Sequence, residues 1–388
     1  MNKMNSKYSA ENRHYFDWAA TAAPELPSPD TVFPFGNPSS PHQEGRSARE
    51  ALESARARCA AVLNIPAETI YFTSGGTESN CIPLYSCLAR RSGGRILASA
   101  AEHSSISENL QTLERLGKPI GRIPLDSLGA VTGDLLSKTL DKYGDTRFAA
   151  IMAVNNETGT INDLAALRDI LRGRNGPPLH FHCDMVQAAG KIPLDIAGWD
   201  IDSASLSAHK IGGPRGIGLL YLRRPLEILY SGGGQEKGMR PGTENVAGAL
   251  ALARCLEAHA LPEKLNNERT EARRRWKHLL SALGKLERCR LIPAERDIDD
   301  ERFSPYIVQA GFKNIPGEVM VRALDDAGFA VSTGSACSSH SPERPVLAAM
   351  GVEDNLSLEG IRISQGWSTT DEEIDLLLEA ITEVLKFL

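Results

Sequence analysis

The sequence lacks the features that would assign it to a membrane or to nucleic acid. No apolar run approaches the roughly 18 residues that a membrane-spanning helix needs, and residues 1–15 lack the apolar core of a secretion signal. The net charge is −6, whereas nucleic-acid-binding surfaces need clustered lysine and arginine. We therefore expect a cytoplasmic protein that contacts neither membranes nor nucleic acids directly.

The seven cysteines are odd in number and irregular in spacing, so a disulfide framework is not expected. Cys289 has only charged sequence neighbours, and the sequence does not decide whether it is buried. Cys337 lies in a small, polar segment without periodicity (residues 332–340), which predicts an exposed loop. There His340 could help the thiol to ionise or could have no role. The other cysteines lie in helix-like or strand-like patterns and are predicted to pack in the core: Cys59, Cys81, Cys87, Cys183 and Cys255.

Between residues 68 and 222 short apolar runs alternate with helix-like stretches, which predicts βαβ units and a largely parallel sheet. The predicted strands are residues 69–73, 95–99, 148–154, 179–184, 202–207 and 216–222. Several of them end in polar residues. In open α/β sheets ligands bind beyond the carboxyl ends of the strands, so we expect these residues to converge on one site.

The C-terminal third predicts a smaller α+β domain. A helical segment near residues 246–283 precedes strand signals at 306–310, 330–332 and 360–364. Thr370 and Glu373 form a capping box that predicts the start of a last helix. The apolar face predicted for this helix is Ile374, Leu377, Leu378, Ile381, Leu385 and Leu388.

Lys210 follows an apolar strand within residues 207–213 (SAHKIGG). An isolated lysine there would usually be a surface residue, but Ser207 and His209 add donors and the glycines let a ligand approach the backbone. A lysine side chain is rarely buried unless it is paired with an opposite charge or takes part in chemistry. Burial lowers its pKa and suits the amine for Schiff-base chemistry.

Residues 74–79 (SGGTES) follow a strand and precede a helix. Free amides at a helix start bind phosphate, which makes Gly76 and Thr77 candidate ligands. An ordinary turn capped by Thr77 is an equally good interpretation of this stretch alone. The lysine of a Walker A loop is absent, which argues against a nucleoside triphosphate.

Strand alternation places His180, His182 and Asp184 on one face, which suggests a metal. No second ligand pair at suitable spacing closes such a site. A strand-end carboxylate can instead pair with a pyridine nitrogen, and Gln187 could then reach the ring hydroxyl. His103 and Asn156 are structural by default, although His103 could stack on a planar cofactor or move a proton.

Taken in order, these residues resemble the cysteine desulfurases, within the class V aminotransferase family of fold-type I pyridoxal-phosphate enzymes. Further matching motifs are residues 36–40 (GNPSS), 232–235 (GGGQ), 240–245 (RPGTEN) and 334–337 (GSAC). The resemblance covers nearly the whole chain. It implies an α/β large domain, residues 16–255, with a mostly parallel seven-stranded sheet. A smaller α+β domain, residues 1–15 and 256–388, would carry the cysteine loop.

The resemblance also implies residue roles. Lys210 would hold pyridoxal 5′-phosphate as a Schiff base, Asp184 the pyridine nitrogen and Gln187 the ring hydroxyl, while His103 would stack on the ring and assist proton transfer. Asn156, beside the cofactor, and Arg362 would hold the substrate carboxylate. Phosphate ligands would be Gly76, Thr77, Ser207, His209 and, from the other subunit of a homodimer, Thr243.

By the same resemblance, Cys337 would take sulfur from L-cysteine as a persulfide and release L-alanine. The sulfur would pass to an acceptor protein, either an iron–sulfur scaffold or a tRNA-thiolation factor. The cysteine loop is similar to the long-loop group but departs from it at His340, and the segment after Arg362 departs at Gln365 and Trp367. Alternatives are a selenocysteine lyase, a class V aminotransferase and a catalytically silent scaffold.

Overall fold

The computed structural model describes residues 13–24, 34–89, 93–334 and 344–388. Their strands are β1 (His14–Tyr15), β2 (Ile70–Thr73), β3 (Arg95–Ser99), β4 (Ile120–Ile123), β5 (Thr146–Ala150), β6 (His180–Asp184), β7 (Ser203–Ser207), β8 (Gly218–Leu222), β9 (Cys289–Ile292), β10 (Ile307–Phe312), β11 (Phe329–Ala330) and β12 (Gly360–Ser364). Their helices are α1 (Gln43–Leu63), α2 (Gly76–Ala89), α3 (Ser104–Arg115), α4 (Gly133–Lys142), α5 (Leu164–Gly173), α6 (Val246–His259), α7 (Pro262–Leu283), α8 (Gly317–Asp326), α9 (Pro345–Ala349), α10 (Asp354–Glu359) and α11 (Asp371–Phe387).

A seven-stranded sheet in the order β2-β8-β7-β6-β5-β3-β4 forms the larger part of the molecule. Only β8 runs antiparallel to its neighbours within this sheet. The predicted fold class and seven-stranded sheet are therefore confirmed. Strand β4 was missed by the sequence pattern, because a glycine and an arginine interrupt its four residues at the sheet edge. The strand predicted over residues 148–154 ends earlier, at Ala150.

Helices cover both faces of this sheet, as expected for buried parallel strands. Along β5, Phe148 and Ala150 pack in a cluster with residues of α2 and α3. Ala149, between them, packs in the main core with residues of α1, α5 and α6. This enclosure leaves the carboxyl ends of the strands as the place where polar side chains can meet.

A second, antiparallel sheet has the order β12-β10-β9, and β1 pairs with β11 in a separate two-stranded ribbon. The helix predicted near residues 246–283 is two helices, because Pro262 begins a new one. The strand predicted at residues 330–332 is β11, and Ser332 forms only an isolated bridge with Arg362. Cys289 lies half-buried in β9.

The capping box of Thr370 and Glu373 is confirmed at the start of α11. The buried face of this helix contains Ala380 and Val384 in addition to three of the predicted residues. Leu388 was wrongly predicted as part of it, since it is 48% exposed at the chain end. Of the five cysteines predicted to be buried, Cys81 is only half-buried and the other four are buried.

The predicted division into two domains stays a prediction, and some side chains pack across its boundaries. Phe16 packs in a core with α7, α8 and α11, whereas Ile292 and Leu347, from the C-terminal third, pack in the main core. In the described part of the chain, no helix is long and apolar enough to cross a membrane.

The segment after β1 joins the two sheets. The carbonyl of Phe16 accepts from the amide of Ser364 at 2.8 Å, and the amide of Ala22 donates to the carbonyl of His209 at 2.8 Å. Between these anchors the indole of Trp18 lies directly over Gly366 and meets Trp367 edge-on, with ring centroids 5.0 Å apart. The segment therefore has little freedom to move relative to either sheet.

We expect Gly366→Ala to lower the free energy of unfolding by about 1–3 kcal/mol, because the new methyl group would overlap the Trp18 indole. Urea denaturation measures the change. Gly144→Ala is the matched control, since a Cβ at Gly144 meets no atom within 4 Å. Equal stability of the two variants would show that the Trp18 contact does not constrain the segment.

Candidate active site

A cavity of about 250 Å³ opens at the carboxyl ends of the central strands. Ten residues singled out from the sequence line it: Gly76, Thr77, His103, Asn156, Asp184, Gln187, Ser207, His209, Lys210 and Arg362. The expected convergence of the strand ends on one cavity is thus observed, while the roles of these residues stay predictions. Asn80, Ser105 and Gly334 also line the cavity but were not assigned a role from the sequence.

Lys210 ends a short 3-10 turn, Ala208–Lys210, that directly follows β7. Its Nζ donates to the carbonyl oxygens of Ala19 at 2.6 Å and Ala20 at 2.8 Å. Both carbonyls belong to the segment that joins the two sheets. The amine is therefore held at the cavity wall by backbone dipoles, in a position to react with a bound carbonyl compound.

The start of α2 forms a pocket suited to an anion. Gly76 is its first residue, and a Cβ there would lie 2.7 Å from Cγ2 of Val186, so the wall leaves room only for glycine. The side chains of Ser207 and His209 face the same cavity. Burial, and then the charge of Lys210, lowers the pKa of His209 to about 4. At neutral pH this imidazole is therefore an uncharged hydrogen-bonding group.

Asp184 is buried and held by two donors. Its Oδ1 accepts from the amide of Val186 at 2.9 Å, and its Oδ2 accepts from Nδ2 of Asn80 at 2.7 Å. Asn80 lies on α2, four residues after Gly76, and is 1% exposed. Asn80 directly follows Thr77, Glu78 and Ser79, so no sequence signal distinguished it from its polar neighbours.

A directed chain of hydrogen bonds continues from Asn80 through His182. Because Oδ1 of Asn80 can only accept, the contact at 2.9 Å places a proton on Nε2 of His182. Nδ1 of His182 then accepts from the hydroxyl of Ser203 at 2.8 Å. Nε2 of His180 also contacts this hydroxyl, at 2.7 Å. Burial, and then the nearby His180, lowers the pKa of His182 to about 3.

These bonds account for the histidines that suggested a metal. The described residues contain no group of three or more histidine, cysteine, aspartate or glutamate side chains that could hold a metal ion. His180 stacks on Phe148 with ring centroids 5.1 Å apart. Both histidines are bonded to the hydroxyl of Ser203, and His182 also bonds Asn80, which in turn holds Asp184.

His103 is the N-cap of α3, and its Nδ1 accepts from the amide of Ser105 at 3.1 Å. The neutral ring therefore carries its proton on Nε2.

Glu102, the neighbour of His103 in sequence, is turned away from the cavity. The carboxylate of Glu102 accepts from the amide of Met152 at 2.8 Å and from the hydroxyl of Ser99 at 2.6 Å. Burial raises the pKa of Glu102 to about 7.

Arg362 lies in the middle of β12, where its register partner is Gln309, and is 2% exposed. Its Nη2 donates to Oδ1 of Asp17 at 2.7 Å, and its Nη1 donates to the carbonyls of Asn156, at 2.9 Å, and Gly334. Among the described residues, its buried Nε has no hydrogen-bond partner. Asp17 was not assigned a role from the sequence.

Two predicted site residues are not in the cavity as described. Thr243 is exposed in the loop that precedes α6, so its predicted role depends on a second subunit and stays a prediction. The loop is anchored by a buried pair in which Arg56 donates to both oxygens of Glu236, each at 2.8 Å.

Cys337 and His340 lie outside the described residues, but Gly334, the last described residue before them, lines the cavity.

The two departures that follow Arg362 lie away from the cavity. Gln365 is buried, where its Oε1 accepts from Nε of Arg275 and its Nε2 donates to the carbonyls of Ala272 and Pro305. Trp367 stacks on His259 with ring centroids 3.7 Å apart. Both residues therefore strengthen the packing between β12 and the helices behind it.

Comparison with known proteins identifies the family. Residues 14–377 match the model of the family "Aminotransferase class-V". The chain is 38% identical to a "NifS/IcsS protein homolog" of Lactobacillus delbrueckii subsp. bulgaricus, over 95% of the chain and 96% of that protein. It is 36% identical to a "Cysteine desulfurase IscS" of Dictyoglomus turgidum, over 96% and 94%. A solved structure named "NIFS-LIKE PROTEIN" superposes with a TM-score of 0.87 at 34% identity, covering 97% of this chain and 100% of that one.

We predict that stability falls on acidification because of His182. Its folded-state pKa of about 3 lies below the ordinary 6.5, so between these values the unfolded chain binds a proton that the folded chain does not. The contribution of His182 to the free energy of unfolding should be complete above pH 6.5. At pH 5, protonation of this residue in the unfolded chain should lower the free energy of unfolding by about 2 kcal/mol.

Urea denaturation of His182→Gln at pH 7 and pH 5 tests this, because the variant lacks the titrating group. Its loss between the two pH values should be about 2 kcal/mol smaller than that of the wild type. His278→Gln, at an exposed position on α7, is the control. A loss in His182→Gln equal to that of the wild type would contradict the prediction.

Proposed function

The chain belongs to the aminotransferase class-V family, and we propose that it is a cysteine desulfurase that uses pyridoxal 5′-phosphate to take sulfur from L-cysteine. One observation carries the proposal: Lys210, Asp184 and Arg362 line a single cavity, and so does Gly334, three residues before Cys337. Similarity to a relative named cysteine desulfurase, over nearly the whole chain, supports it further.

The residues of the cavity fit this cofactor. The start of α2 offers an anion site with no room for a side chain at Gly76. At another wall, the two donors to Asp184 keep a carboxylate buried where a protonated ring nitrogen could bind it. The residues that would hold the cofactor are Lys210 for the Schiff base, Asp184 for the ring nitrogen, Gln187 for the ring oxygen, His103 and Asn156 beside the ring, and Gly76, Thr77, Ser207 and His209 for the phosphate.

When bound, the cofactor supplies an electron sink that weakens the bonds at the α-carbon of an amino acid. The chain's own residues then bind the substrate and move its protons. The Nζ of Lys210 lies at the cavity wall and is the base proposed for the α-proton. His103, whose neutral ring carries its proton on Nε2, is the second candidate for proton transfer.

Arg362 is the proposed site for the substrate carboxylate. A guanidinium matches a carboxylate with parallel hydrogen bonds, and among the described residues the Nε of Arg362 has no partner. Asp17 and the carbonyls of Asn156 and Gly334 already fix the plane of the group. Preorganisation of this kind reduces the entropy lost when the substrate binds.

Sulfur transfer is assigned to Cys337. Its thiolate attacks the sulfur of the bound cysteine, so that an S–S bond forms as the carbon–sulfur bond breaks. The electron pair of the broken bond stays with the substrate carbon, which takes up a proton to become the methyl group of L-alanine. Cys337 is left as a persulfide, from which an acceptor protein, either an iron–sulfur scaffold or a thiolation factor, takes the outer sulfur.

The proposed enzyme is a cytoplasmic homodimer. The support for a second subunit is the position of Thr243, which is exposed and outside the cavity while the loop that carries it is anchored by the buried Arg56–Glu236 pair. In a homodimer this loop would reach the phosphate site of the partner subunit.

We predict that Cys337→Ala lowers the rate of L-alanine formation from cysteine by on the order of a hundredfold or more, because the sulfur loses its nucleophilic acceptor. Mass analysis of the wild-type peptide containing Cys337, after incubation with cysteine, should show one added sulfur atom. Cys289→Ala, at a half-buried position in β9, is the matched control and should retain its rate. An unchanged rate in Cys337→Ala would instead favour one of the alternative family activities.

A second prediction concerns Asp17. In Asp17→Asn the guanidinium of Arg362 loses its charged partner, so KM for cysteine should rise roughly tenfold with a smaller change in kcat. Steady-state kinetics measure both constants. Asp371→Asn, which breaks an exposed pair with Arg274, is the control for loss of an aspartate charge. If KM stays at the wild-type value, Asp17 does not position the substrate site.

A further inference from the structure

Lys191 is a buried lysine beside the cavity that the proposed mechanism does not use. It lies in the helical turn that follows β6, four residues after Gln187, and it is 2% exposed. Its Nζ donates to Oε1 of Gln187 at 2.8 Å. No carboxylate among the described residues forms an ion pair with it, and the charges that act on it are those of Lys210 and Arg362.

A lysine buried in this way is unfavourable for the fold. Charged side chains are almost never fully buried unless they are paired, because removal from water costs several kcal/mol. Burial, and then the charges of Lys210 and Arg362, lowers the pKa of Lys191 to about 7. A leucine or methionine would fill the same space without this penalty. The retained amine therefore points to a task that needs a hydrogen-bond donor at this place.

The task follows from the contacts of Gln187. With Oε1 fixed by the Lys191 donor, the other end of the amide is Nε2, which donates to the carbonyl of Ala19 at 2.8 Å. That same carbonyl accepts from Nζ of Lys210 at 2.6 Å. A flipped amide would turn its NH₂ group toward the donating amine of Lys191 and its Oε1 toward the carbonyl of Ala19, where two acceptors would face each other. Lys191 and the carbonyl of Ala19 therefore hold Gln187 from both ends, with its donor on the side where Lys210 lies.

We propose that Lys191 is a positioning residue that holds the Gln187 amide with its nitrogen toward the cavity, where it donates to the ring oxygen of the bound cofactor. This inference rests on the cofactor assignment of the proposed function, although not on sulfur transfer. A donor at the ring oxygen withdraws negative charge from the neighbourhood of the nitrogen that Lys210 contributes. Protonation of that nitrogen is therefore disfavoured, and the lysine nitrogen stays reactive at neutral pH.

The test is the absorbance of the cofactor-loaded protein as a function of pH, in the absence of cysteine. In Lys191→Met the amide of Gln187 loses the donor that fixes its Oε1, so the midpoint of the absorbance change should rise by about one pH unit. Lys191→Arg, which keeps a donor and a charge, should restore most of the wild-type midpoint. Lys138→Met, at an exposed position on α4, is the control and should leave the midpoint unchanged.

A double variant separates positioning from a direct charge effect. In a Gln187→Ala background, Lys191→Met should cause little further shift, because the group through which Lys191 acts is already absent. The proposal is overturned if Lys191→Met leaves the midpoint unchanged, or if it causes the same shift in both backgrounds.

Gln187→Glu provides a test that keeps Lys191 intact, should Lys191→Met fail to fold. The carboxylate replaces the donating nitrogen by an oxygen, so the same upward shift is expected, and an unshifted midpoint would overturn the proposal. The two levels of inference fail differently. A wild-type protein that binds no cofactor contradicts the proposed function, whereas a normal wild-type absorbance that Lys191 variants do not alter contradicts only this inference.

Discussion

The geometry of the site depends on one stretch of backbone, residues 16–22, to which both ends of the cavity are attached. The carbonyl of Ala19 accepts from Lys210 and from Gln187, while the carboxylate of Asp17 holds Arg362. The stretch is itself fixed to β12 through Ser364. The lysine of the large sheet and the arginine of the small sheet are therefore positioned relative to the same few peptide groups, although they are distant in sequence.

The charges around the cavity suit a ligand that is anionic at both ends. Lys191, Lys210 and Arg362 bring positive charge close together, while burial keeps His209 neutral at physiological pH. A phosphate at the start of α2 and a carboxylate at Arg362 would balance these cations at opposite sides of the cavity. Asp184 accepts hydrogen bonds from two neutral donors at the place where a cationic ring nitrogen is expected.

Much of this arrangement could be predicted from the sequence, because strand-end residues such as Asp184 and Lys210 follow apolar runs with a clear pattern. The residues that support them could not be predicted in the same way. Asn80, Asp17 and Lys191 act through contacts with residues far away in sequence, and only the folded chain brings these partners together. Edge strand β4 was missed for a related reason, since pairing with β3 rather than its own composition makes it a strand. Leu388 was assigned to a buried face by periodicity alone, although the helix ends before that face is covered.

The central claim is that Lys210 is the lysine that binds the cofactor, although Lys191 also lies beside the cavity. Borohydride reduction of the protein loaded with pyridoxal 5′-phosphate, followed by peptide mass mapping, tests this directly. The account predicts a stable adduct on the peptide that contains Lys210 and an unmodified peptide containing Lys191. An adduct on Lys191, or a protein that forms no reducible adduct, would contradict it.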